Sequence, residues 1–72
     1  MSKTREHVIP LAISERILKN AGAPRVSEDA KVQFSDVLKE IAEEIGQQAS
    51  KIAKHAGRKT VQDEDIKLAA KQ

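Results

Sequence analysis

The chain has no cysteine, no tryptophan and no tyrosine, and only one phenylalanine, two prolines and three glycines among its 72 residues. Without cysteine there is no disulfide framework of the kind that marks small secreted domains. With Phe34 as the sole aromatic, and ten alanines among 28 apolar residues, little large side-chain area is available to bury. At ~25 cal/mol per Å² of apolar surface, such a core struggles against ~1.5 kcal/mol of ordering entropy per residue. Neither a metal-ligand cluster nor a disulfide is present to staple it, so association of chains is the remaining device. A dimer at least is expected. The segment 1–7 is polar, and neither a signal-type apolar run nor a membrane-length stretch follows it. The expectation is a soluble cytoplasmic protein of one small domain, residues 9–72, preceded by a short tail, residues 1–8.

The net charge is only +2, and its distribution is more informative than its size. Residues 1–27 carry five cations and two anions, and residues 28–50 carry two cations and six anions. Residues 51–60 carry four cations and no anion, and residues 61–72 return to two against three. Positive charge is gathered toward the N-terminus and in the connecting regions, with an acidic belt between. A polyanion is the natural partner of such a pattern, although a solvated mixed-charge surface would look similar.

Periodicity predicts three helices and no strand. Ile13, Ile17, Leu18 and Ala21 recur at helical spacing between Pro10 and Gly22, which predicts a first helix over 11–21. Ser27 is a suitable N-cap, and Glu28 and Asp29 suit the positive end of a helix dipole. From there apolar residues at 30, 34, 37, 38, 41, 45, 49, 52, 53 and 56 run in steps of three and four until Gly57. One helix of nearly thirty residues would be ~43 Å long, whereas a compact monomer of this size is only ~30 Å across. A second copy crossing that helix is the economical way to cover its overhang. Asp63, Glu64 and Asp65 then open a third helix over 63–71, with Ile66, Ala69 and Ala70 at helical spacing.

The order short helix, long helix, short helix, together with particular residues, resembles the histone fold, and specifically the small archaeal-type histones. The stretches that carry the resemblance are 9–12 (Ile-Pro-Leu-Ala), 16–23 (Arg-Ile-Leu-Lys-Asn-Ala-Gly-Ala), 25–30 (Arg-Val-Ser-Glu-Asp-Ala), 54–61 (Lys-His-Ala-Gly-Arg-Lys-Thr-Val) and 64–66 (Glu-Asp-Ile). They occur in order over nearly the whole chain. The resemblance implies an all-α, intertwined head-to-tail homodimer in which the first loop of one protomer lies beside the second loop of its partner. Arg25 would then pair with Thr60 of the other chain and enter a DNA minor groove. It also implies an ion pair between Arg58 and Asp65, and a dimer–dimer contact through Ile52, His55, Asp65 and Leu68 that builds tetramers or larger particles.

The residue types make physical sense for that role. Arg25 follows a proline-stiffened turn, and a guanidinium there can reach a narrow minor groove, where the potential is most negative; it would otherwise be an ordinary loop arginine. Arg58 and Lys59 are adjacent cations beside helix ends, suited to phosphates, with Lys59 the better candidate if Arg58 is held by Asp65. Arg16 and Lys19 lie three apart on the first helix, and Lys51 sits near the end of the second. Thr60 equally suits the lead-in to the third helix, and Lys54 suits a solvated face. Phe34 reads most simply as core. His55 and Asp65 lack a nearby nucleophile and a third ligand, so neither catalysis nor a metal site is expected. Asp36, Glu40, Glu43 and Glu44 read as a solvated helix face, and the stretch 56–60 lacks the first glycine and the strand of a phosphate-binding P-loop.

The expected function is non-sequence-specific binding, bending, wrapping and compaction of double-stranded DNA in the nucleoid, since no base-reading cluster stands out on a helix. No enzyme activity, cofactor, small-molecule substrate or membrane partner is expected. The alternatives are a histone-fold subunit that pairs with a different chain in a transcription-regulatory complex, and an amphipathic helix protein at anionic membranes. The retained Arg25, Lys59 and Thr60 speak against the first, the acidic belt and missing aromatics against the second.

Overall fold

A computed structural model describes residues 7–71. It contains α1 (Leu11–Asn20), α2 (Glu28–His55) and α3 (Asp63–Ala70), and no strand among the described residues. All three helices fall where the hydrophobic period and the breakers put them. No helix is long and apolar enough to cross a membrane.

The helix boundaries have local causes. Pro10 precedes α1 with φ −58° and accepts the first backbone hydrogen bonds at its carbonyl, a position where its missing N–H costs nothing. The N–H of Ala30 donates to Ser27 Oγ over 3.1 Å, which caps the start of α2 just before Glu28 and Asp29. Helix α3 opens with the Gln62 N–H donating to Asp65 Oδ2 over 2.8 Å and with three acids in its first turn.

Helices α1 and α2 end in the same way. The Gly22 N–H reaches the Lys19 carbonyl at 3.0 Å and the Ala23 N–H the Leu18 carbonyl at 3.1 Å. The Gly57 N–H reaches the Lys54 carbonyl at 2.9 Å and the Arg58 N–H the Ala53 carbonyl at 2.9 Å. Each is a paired-bond closure that needs a left-handed residue at the glycine, and φ is +119° at Gly22 and +76° at Gly57. The chain therefore leaves both helices on a fixed path.

Residues group into two compact units, Met1–Glu40 and Ile41–Gln72. In the first, α1 meets the start of α2, and the buried contact is between Ser14 and Ser35, whose hydroxyls share a 2.6 Å hydrogen bond. The inward side of α1 is thus centred on Ser14. Ile13 and Ile17, which the spacing marks as the packed stripe, are exposed. In the second unit, Ala49 and Ala53 of α2 and Ala69 of α3 are the buried apolar residues, with Asp65 also buried.

The apolar stripe of α2 is present but largely uncovered. Phe34, which its type and position mark as core, is only half-buried, and Val37 and Ile41 are exposed. Among the described residues, no large apolar side chain is fully buried. Periodicity identifies the face of a helix, but it does not say whether the cover belongs to the same chain.

Candidate nucleic-acid interface

The basic residues sit where the helices stop. Arg25 is exposed in the segment between the closed end of α1 and the Ser27 cap. Lys59 and Thr60 are exposed directly after the closed end of α2. A cation on such a segment loses little chain entropy when it grips a phosphate, because the backbone bonds already fix the path.

Arg58 braces the second segment. Its Nη1 donates to Asp65 Oδ2 and its Nη2 to Asp65 Oδ1, both at 2.9 Å, and Nη1 also donates to the Thr60 carbonyl at 3.0 Å. The planar fork matches the carboxylate on both oxygens. The Asp65 carboxyl is drawn down to about 2, first by the Arg58 hydrogen bonds and then by the Gln62 N–H, against the opposing effect of burial; the same pairing raises Arg58. Asp65 is 2% exposed, and it stays ionised across the physiological range. The second segment is therefore tied at the Thr60 carbonyl while the Lys59 side chain stays exposed.

Arg58, Lys59 and Lys54 line one shallow hollow with Ser50. Arg16 and Lys19 line another on α1, together with Glu15. Lys51, Ile52 and His55 border a third. Leu68 on α3 is 52% exposed, and Ile52 is half-buried. The Asp65 carboxylate faces Arg58 and Gln62 within its own chain, whereas His55 is exposed. Among the described residues, no group of three or more His, Asp or Glu is placed to hold a metal ion.

Sequence reasoning passes over Glu15 and Lys31. Glu15 Oε2 is 3.2 Å from Lys19 Nζ, and Glu15 Oε1 is 3.4 Å from Lys31 Nζ. Lys31 Nζ in turn donates to Glu28 Oε2 at 3.0 Å. The spacings of Glu15 with Lys19 and of Glu28 with Lys31 are visible along the helices. The link from α1 to α2 is not, because it depends on tertiary placement. Glu15 is lowered, mainly by the hydrogen bond from Lys19 and next by Lys31, and Lys31 is raised, mainly by Glu28.

Residues 7–70 match the family model described as "Histone-like transcription factor (CBF/NF-Y) and archaeal histone". The chain belongs to this family. It is 49% identical over 63 residues to the archaeal histone HAN1 of Thermococcus zilligii, a match covering 88% of this chain and 94% of that protein. It is 54% identical over 61 residues to probable archaeal histone 3 of Methanocaldococcus jannaschii, covering 85% and 91%. The three helices are those of the histone fold, and a histone-fold protein of this kind is structural, not an enzyme. Both relatives are named as archaeal histones, which favours the histone reading over that of a component of a transcription complex.

Proposed function

We propose that this histone-fold chain is a homodimeric DNA-binding histone that holds double-stranded DNA with little sequence preference and bends, wraps and compacts it. The observation that carries this reading is the placement of Arg25 and of Lys59 with Thr60 on exposed segments that directly follow closed helix ends. These segments are suited to phosphates and groove shape, which supply affinity without reading bases.

In the dimer, Arg25 of one chain lies with Thr60 of its partner and enters the minor groove, while Arg16, Lys19, Lys51 and Lys59 meet phosphates. Arg58 serves DNA mainly by holding the Lys59 segment in place. The need for a second copy is supported by the exposed Val37 and Ile41 on α2 and by a buried apolar set made of alanines. Residues 9–72 act as the histone-fold domain and residues 1–8 as a short tail. On DNA, dimers meet through Ile52, His55, Asp65 and Leu68 to form tetramers or larger particles. The chain works in the cytoplasm, on the chromosome.

Compaction of a long duplex tests the groove assignment. Arg25→Ala should reduce bending and compaction more than Lys67→Ala, with nearly unchanged thermal stability, because Arg25 is an exposed loop residue. Equal effects of the two changes would contradict it.

A further inference from the structure

The cations of α1 do not stand alone, because Glu15 lies between the two lysines it contacts. Lys31 is 15% exposed at its side chain and is held by two carboxylates, Glu15 at 3.4 Å and Glu28 at 3.0 Å. Lys19 is 49% exposed, and its ion pair is with Glu15 at 3.2 Å. Lys31 is therefore fixed, while Lys19 is in a solvent-facing pair one turn apart on a single helix. Exposed pairs of this kind are weak enough to exchange partners.

Exchange has a consequence for DNA affinity. A free lysine that meets a phosphate releases a counterion condensed on the duplex, and that release is the source of salt-dependent binding. If Lys19 leaves Glu15 to meet a phosphate, an uncompensated carboxylate remains beside the duplex. That carboxylate repels the phosphate and takes up a cation from solution, so the net ion release is close to zero. The hollow bordered by Arg16, Lys19 and Glu15 then carries one net positive charge instead of two.

We propose that Glu15 is an internal competitor of DNA at the α1 surface: it holds Lys19 in an exchangeable pair and so limits how tightly this part of the protein grips a duplex. The inference rests on the DNA-binding reading and adds a residue that tunes it. Lys31 keeps Glu28 when Glu15 is neutralised, so the tie at the start of α2 survives the change.

The test is equilibrium binding of the intact protein to a short duplex over a series of salt concentrations. Glu15→Gln should tighten binding by about fivefold at about 0.15 M salt for each Lys19 released, and should steepen the slope of log K against log salt by about 0.9 per chain. Lys19→Ala should cost more in the Glu15→Gln background than in the wild-type background. A melting curve of Glu15→Gln like that of the wild type assigns the change to binding and not to folding. Equal tightening by Glu15→Gln with and without Lys19 would overturn the proposal in favour of a general loss of negative charge. An unchanged slope in a protein that Lys59→Ala does weaken would overturn this proposal alone. Absence of DNA binding by the wild type would overturn it together with the DNA-binding reading.

Discussion

Replacing Ile41 by aspartate probes the uncovered stripe of α2. In the single chain Ile41 is 49% exposed, so a partner that covers it buries about half of an isoleucine side chain. Full burial of such a side chain is worth ~1.5–3 kcal/mol, which makes the half remaining worth about 1 kcal/mol per copy and about 2 kcal/mol per dimer. A carboxylate trapped at the same place without a partner adds ~1–3 kcal/mol per copy. The sum is about 4–8 kcal/mol, so the dimer dissociation constant should rise at least about a thousandfold. Sedimentation equilibrium of wild type and Ile41→Asp measures this directly. Melting over about a hundredfold range of protein concentration supports it, because an obligate dimer melts higher when more concentrated. A variant that stays dimeric with an unchanged melting temperature would refute the reasoning, as would a wild-type melting temperature independent of concentration.

Two further outcomes are expected. The Asp65 carboxyl is held at about 2 when folded, below its ordinary ~3.9, so its stabilising effect is complete above about pH 4 and is lost as pH falls toward about 2. The melting-temperature gap between wild type and Asp65→Asn should therefore shrink between about pH 5 and about pH 2, and a gap constant over that window would contradict the brace. Replacing Ile52 and Leu68 together by charged residues should leave the dimer and short-duplex binding intact but remove larger particles on DNA, as gel mobility over a range of protein-to-DNA ratios would reveal. Larger particles that persist would move the higher contact elsewhere.

The helices are legible in the sequence because their signals are local. Pro10, Gly22, Ser27 and Gly57 mark ends through backbone geometry, and the steps of three and four along residues 30–56 mark one continuous helix. The basic segments are legible for the same reason, since Arg25, Arg58 and Lys59 stand next to those ends. Other features depend on what the helices meet. Ser14 and Ser35 are 21 positions apart and share a buried hydrogen bond, yet the apolar spacing of α1 points to Ile13 and Ile17. Phe34 has the type and position of a core residue, but the single chain covers it only in part. Glu15 lies inside a stretch conspicuous for its cations, and its link to Lys31 joins two helices. A pattern along one helix carries no information about a charge brought in by another.

The central claim is that DNA is held through phosphates and groove shape and not through base sequence. Its most direct test is the salt dependence of binding on several unrelated duplexes of equal length. The expected result is one steep slope of log K against log salt shared by all of them, lowered by about 0.9 for each phosphate contact removed, as with Lys59→Ala. A shallow slope, or a strong preference for one short sequence that persists at high salt, would contradict the account.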